Sequence, residues 1–87
     1  MPRYQLAFSR SAKKELDKLD RVTRQRIAKK LLYFLEQDDP LIYARQLIHA
    51  SLGGYQFRVG HYRIVFDVHV DTLQVLRIKH RREVYRR

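Results

Sequence analysis

Apolar and polar positions alternate on both sides of Gly60-His61, in the run Tyr55-Gln56-Phe57-Arg58-Val59-Gly60-His61-Tyr62-Arg63-Ile64-Val65-Phe66. Two such runs joined by glycine and a polar residue predict a two-residue hairpin, with the glycine supplying a positive φ. Folding there sets Val59 opposite Tyr62, Phe57 opposite Ile64 and Tyr55 opposite Phe66 on one apolar face. The other face then sets Arg58 directly opposite Arg63. Like charges in opposed sheet positions are destabilising. At roughly 5 Å the repulsion is about 1 kcal/mol in bulk water and a few times more at a protein surface. Two arginines splayed into water would explain the pair; an anion placed between them would use it.

Upstream, Tyr4, Leu6 and Phe8 alternate across Arg3 to Phe8 and predict a first strand. Ser9 is an N-cap for a short helix over about Arg10 to Leu19, with Ala12, Leu16 and Leu19 in one stripe. Asp20 caps a second helix of about Arg21 to Gln37, in which Ala28, Leu31, Leu32 and Leu35 follow the spacing of a core-facing stripe. Asp38-Asp39-Pro40 stops it. Residues 41–54 carry little pattern, and Arg45 to Ile48 reads equally as a short helix or a strand. Strands are expected near 54–59, 62–69 and 72–78. A turn at Val70-Asp71 sets Val75 opposite Val65 and Arg77 opposite Arg63, with Leu76 and Ile78 joining the core face of Ile64 and Phe66. One sheet face then carries Gln56, Arg58, Arg63, Arg77 and Lys79, and the helices cover the other. The expected fold is α+β in two layers: an N-terminal strand and a helical hairpin, then a largely antiparallel sheet, all in one domain spanning 1–87.

Charge narrows the partners. The 87 residues carry 19 Lys plus Arg against 9 Asp plus Glu, a net +10. Such a balance points to nucleic acid, an acidic protein or an anionic surface. No apolar run approaches a membrane span and no signal-peptide core is present, which with the absence of cysteine fits the cytoplasm. Thiolate metal sites and disulfides are excluded. Much of the charge lies between Arg10 and Lys30, where a solvated helix face is the ordinary explanation.

The candidate chemistry is metal-free. His49, His61, His69 and His80 lack metal-ligand spacing, and no acidic cluster stands beside them, so no metal is expected. There is no glycine-rich phosphate loop and no nucleophile elbow. The C-terminal run Lys79-His80-Arg81-Arg82-Glu83-Val84-Tyr85-Arg86-Arg87 leaves the last strand directly. A helical turn over Arg82 to Arg86 would put Arg81 and Tyr85 on one side, able to clamp a phosphate and stack an unpaired base. A basic tail with Tyr85 packed back on the sheet fits the same residues. Arginine, lysine, histidine and tyrosine together suit RNA cleavage by the adjacent 2′-hydroxyl, with cations stabilising the pentacovalent phosphate.

The chain resembles the RelE/ParE superfamily of bacterial and archaeal toxins. The resemblance rests on Ser9-Arg10-Ser11-Ala12-Lys13-Lys14-Glu15-Leu16-Asp17-Lys18-Leu19, on Gly54-Tyr55 with Arg58 to Phe66, and on Ile78-Lys79-His80-Arg81-Arg82-Glu83-Val84-Tyr85. The RelE branch implies an endoribonuclease toxin that enters the ribosomal A site and cuts mRNA without a cofactor. It also implies a RelB-like antitoxin partner, in a hetero-oligomer that binds operator DNA through the antitoxin. By this resemblance Arg63 matches the transition-state arginine, Arg81 the arginine that assists the leaving group, and Tyr85 the C-terminal tyrosine that contacts substrate. Arg58 joins them, and Gln56, Arg77, Lys79, His80 and Arg82 are the expected RNA contacts. Arg58 and Gln56 stand where well-studied members have lysines. Gln56 cannot act as a base and Arg58 stays protonated, so the general base is left between Tyr85 and His80. The ParE branch implies a different activity, non-enzymatic poisoning of DNA gyrase, and a basic RNA-binding module without activity is the third reading.

Overall fold

A computed structural model describes residues 4–47 and 54–82. The chain runs β1 (Gln5–Phe8), α1 (Arg10–Asp17), α2 (Arg21–Leu35), a 3₁₀ turn (Pro40–Tyr43), β2 (Arg45–Gln46), β3 (Tyr55–Val59), β4 (Tyr62–His69) and β5 (Thr72–His80). Both caps form as the sequence predicts. Ser9 Oγ accepts the Ala12 N–H at 3.0 Å, and Asp20 accepts the Thr23 N–H at 3.2 Å. Asp39 opens the 3₁₀ turn by accepting the Leu41 N–H. Of the two options open for Arg45 onward, Arg45–Gln46 is strand.

The five strands form one sheet in the order β1-β5-β4-β3-β2. β1 runs parallel to β5, and the other pairs are antiparallel. The β3–β4 register has Tyr55 opposite Phe66, Phe57 opposite Ile64, Arg58 opposite Arg63 and Val59 opposite Tyr62, as the sequence predicts. Gly60 has φ of 59°. Positive φ at the first turn residue alone is the type II′ pattern, which matches the twist of the flanking strands. Among the described residues no helix is long and apolar enough to cross a membrane.

Two packing details differ from the sequence expectation. A bulge between Val65 and Phe66 shifts β5, so Phe66 faces Val75, Val65 faces Arg77 and Arg63 faces Lys79 rather than Arg77. Val75 therefore joins the core at 0% exposure, and Leu76 is only partly buried. Apolar residues at both 75 and 76 make either register acceptable to the pattern, and the bulge resolves it. The second difference is the rotation of α2. Ile27, Leu31, Phe34 and Leu35 face the sheet, while Ala28 and Leu32 are exposed. Phe34 decides this, because its ring stacks on Phe57 at 4.3 Å and Phe57 stacks on Phe66 at 4.5 Å. Burying Phe34 within that aromatic file removes more apolar area from water than burying Leu32 would.

The β4–β5 turn carries strain. Val70 has φ of 57° and is 96% exposed. A β-branched residue in the left-handed region costs about 1–2 kcal/mol, and nothing is gained here from burial. Val70→Gly is expected to raise stability by about 0.5–1.5 kcal/mol, the released strain less the added entropy of the unfolded chain. Thermal unfolding should show a midpoint several degrees higher, and a lower midpoint would contradict the strain argument.

Candidate anion-binding site

The β3–β4 turn and the end of β5 bring three guanidinium-bearing residues to one pocket. Arg58, Gly60, His61, Tyr62, Arg63 and Arg81 line a cavity of about 230 Å³. Arg63 stands in the middle of the sheet, between Arg58 on β3 and Lys79 on β5. The alternation alone would have Arg63 face solvent, yet on this central strand, with Arg58 and Lys79 at its flanking register positions, it is only 4% exposed. Arg58 is exposed. Arg81 follows β5, and its backbone N–H donates to the His61 carbonyl at 2.6 Å, which fixes its start against the hairpin turn. Arg26 of α2 approaches from the helical layer, its Nη1 3.6 Å from where a Cβ on Gly60 would lie. That is an ordinary contact, so it is the positive φ of Gly60 that favours glycine here.

His61, His80, Arg81 and Arg82 border a second, more open cavity beside the first. The two imidazoles lie nearly parallel, 6.0 Å apart, and His80 meets the Tyr62 ring edge-on at 5.2 Å. The Arg82 N–H donates to His80 Nδ1 at 3.2 Å. Neutral His80 then carries its proton on Nε2 and offers a donor. Gln56 is buried at 6% exposure, opposite Arg45 on edge strand β2. Tyr85 lies outside the described residues.

Arg77 and Lys79 are engaged differently from the others. β1 stops at Phe8 opposite Val75, so β5 has an open edge beyond that point. Two side chains complete it. Ser9 Oγ donates to the Leu76 carbonyl at 2.9 Å, and Glu15 accepts the Ile78 N–H at 2.7 Å. The same Glu15 carboxylate receives Arg77 through Nε and Nη2, the latter at 2.8 Å, and Lys79 Nζ at 3.0 Å. Burial raises its proton affinity, but the hydrogen bonds from Arg77, Ile78 and Lys79 outweigh that and hold Glu15 below the ordinary glutamate range. Two of the expected RNA contacts are thus ion-paired inside the protein.

The sequence pattern does not single out Glu15, Arg26 or His61. Glu15 leaves one legible trace, one of two acids, with Asp17, among Lys13, Lys14 and Lys18 beside the helix that also carries Ala12. Arg26 leaves none, since only tertiary packing brings α2 to the hairpin tip. Among the described residues no group of three or more His, Asp and Glu is placed to hold a metal ion.

Comparison with known proteins agrees with this fold. The family described as the ParE toxin of the type II toxin–antitoxin system, parDE, matches residues 6–85. No curated protein matches the sequence. Among solved structures, a RelBE-type toxin–antitoxin complex from Mycobacterium tuberculosis aligns with a TM-score of 0.67 and 27% identity, over 92% of this chain and 99% of that one. The intact RelBE toxin–antitoxin complex of E. coli gives 0.68 and 25% identity, over 88% and 95%. An archaeal RelE–RelB complex from Pyrococcus horikoshii shares the fold with a TM-score of 0.72 at 19% identity, over 91% and 96%. With a matched segment running from β1 almost to the C-terminus, the chain belongs to the ParE toxin family of type II toxin–antitoxin systems, and its fold is RelE-like.

Proposed function

We propose that this toxin is a ribosome-dependent endoribonuclease that cuts mRNA in the A site and is held inactive by a RelB-like antitoxin. The observation that carries the reading is the convergence of Arg58, Arg63 and Arg81 on one pocket. Three guanidiniums around about 230 Å³ suit a single phosphodiester group, and they stay charged at any working pH. In the proposed reaction the 2′-oxygen loses its proton and attacks the adjacent phosphorus. The bond to the 5′-oxygen breaks, and that oxygen leaves as a hydroxyl after taking a proton. Arg63, buried mid-strand, stabilises the charge that develops on the phosphate. Arg81, anchored through its N–H to His61, reaches the same phosphate from the end of β5. Arg58 holds the ground-state phosphate at the exposed side. His80 is suited to donate a hydrogen bond from Nε2, the leaving oxygen takes its proton from solvent, and Tyr85 is left as the proposed general base.

A pocket lined by cations repels a divalent ion, so the proposed chemistry uses the substrate's own hydroxyl rather than a metal-activated water. The upstream fragment should then end in a 2′,3′-cyclic phosphate and the downstream fragment should begin with a 5′-hydroxyl. Primer extension and end-group analysis on mRNA from programmed ribosomes read this directly. A 5′-phosphate on the downstream fragment would reject the mechanism.

The family that matches is described as the ParE toxin, and the resemblance to the ParE branch supplies a second reading, binding and poisoning of DNA gyrase. A supercoiling assay run beside in vitro translation separates the two. Ribosome-dependent cuts with normal supercoiling support the ribonuclease; loss of supercoiling with intact mRNA supports the gyrase poison.

A further inference from the structure

A third polar cavity adjoins the guanidinium pocket along β3. It holds about 250 Å³ and is lined by Tyr43, Arg45, Gln56 and Arg58. Arg58 therefore borders both cavities. The Arg45–Gln56 rung and the Arg58–Arg63 rung are two residues apart along β3, about 7 Å at strand rise. The chemistry of the two cavities differs. The first is built around guanidiniums. The third combines an aromatic ring, a buried amide and two arginines, and none of its four lining side chains is a carboxylate.

Each member is held in a particular way. The 3₁₀ turn ends at Tyr43, and the Tyr43 ring stacks on Phe34 at 5.4 Å with planes 29° apart. Tyr33 meets it edge-on at 6.2 Å. The ring is thus fixed by the helical layer while Tyr43 keeps 41% of its surface exposed. Gln56 is 6% exposed and lines the cavity, and its amide carries both a donor and an acceptor. Arg45 is exposed on the outermost strand. An ordered aromatic, an amide with both hydrogen-bonding senses and flanking cations match the equipment that binds one unpaired nucleotide: a stacking surface, a base-edge reader and phosphate clamps.

We propose that this cavity is a nucleotide subsite for the residue next to the scissile phosphate, with Tyr43 stacking the base, Gln56 reading its edge and Arg45 and Arg58 holding the phosphates around it. The inference rests on the ribonuclease reading for the word scissile, but not for the binding of RNA. It gives the toxin a protein-encoded base preference, set at β2 and the 3₁₀ turn rather than at the guanidinium pocket.

The test uses short 2′-O-methyl RNA oligonucleotides, which cannot be cleaved by this chemistry, each with 2-aminopurine at a different position. Wild-type protein should quench one position most strongly. Tyr43→Phe should keep that quenching. Tyr43→Ala should abolish it and weaken binding by roughly 5- to 100-fold, the scale of one lost base–aromatic stack. Tyr43 packs on Phe34, so thermal melts accompany each variant; Arg45→Ala, at an exposed position, supplies an arm that packing does not affect and should weaken binding at every position. Quenching that is uniform along the strand, or unchanged in Tyr43→Ala, would overturn the subsite. On programmed ribosomes Tyr43→Ala should broaden the set of cleaved codons. Wild-type protein that leaves mRNA intact yet quenches at one position would remove the ribonuclease reading and keep the subsite.

Discussion

Arg63→Ala is expected to lower the mRNA cleavage rate by on the order of 10²–10³, the scale for removing one preorganised charge stabiliser. The argument is positional. Arg63 lies on a central strand, is 4% exposed and directly opposes Arg58. A side chain held this tightly cannot follow a moving ligand, and a guanidinium cannot deliver a proton. What remains to it is to stand where negative charge develops. Arg63→Lys separates charge from geometry, because lysine keeps the charge and loses the planar fork. Its rate should fall between those of the wild-type protein and Arg63→Ala. The burial of Arg63 also reverses the stability expectation that a solvent-facing residue would carry. Truncation relieves repulsion with Arg58 but leaves space in a packed layer, so a loss of about 1–2 kcal/mol is expected. Single-turnover cleavage on programmed ribosomes, run well below the measured melting midpoint, decides the matter. An Arg63→Ala protein that is folded and cleaves at the wild-type rate would refute the assignment.

How far the sequence leads is best judged at the two hairpins. The first is legible in full, because Gly60 marks the turn and the apolar positions on either side admit one register only. The second is not. Val75 and Leu76 are both apolar, so the pattern accepts either as the core residue, and a bulge is invisible to a period of two. The same ambiguity governs α2, where Ile27, Ala28, Leu31, Leu32, Phe34 and Leu35 cover more than one face and only the sheet's aromatic file selects Phe34 over Leu32. The guanidinium pocket follows from the legible hairpin, which is why Arg58 and Arg63 stand out in the sequence, with Arg81 close behind on the strand that pairs beside them. The sequence shows the charges of Arg77 and Lys79 but not the partner they share. For Arg77 that partner is Glu15, 62 residues away in sequence, and no local pattern reports a contact of that separation.

Glu15→Ala is expected to destabilise the protein by about 2–4 kcal/mol, a fall in melting midpoint of roughly 10–20 °C for a domain of this size. Glu15 accepts hydrogen bonds from Arg77 and the Ile78 N–H and pairs with Lys79, and its side chain is 21% exposed. Removing it leaves a backbone donor at the edge of β5 without its acceptor and two cations without this counter-charge. Both losses are larger than the Coulomb energy of an exposed pair. The contrast lies two residues on, where Lys13 and Asp17 pair at 3.4 Å with more than half of each side chain in water. Asp17→Asn should cost no more than about 0.5 kcal/mol. The pH dependence gives a second, independent readout. Folding holds Glu15 below its ordinary value of 4.5, so the folded state favours the carboxylate. Its contribution is therefore fully present above that value and is lost as pH falls through the lower, folded value. Glu15→Gln keeps an acceptor for Ile78 but carries no charge to titrate. The stability gap between wild type and Glu15→Gln should be constant near neutral pH, narrow as pH drops below 4.5 and level off once both states of wild type are protonated. Urea unfolding across that range measures the gap. A gap independent of pH would mean that the carboxylate's charge does not hold Arg77 and Lys79 against β5.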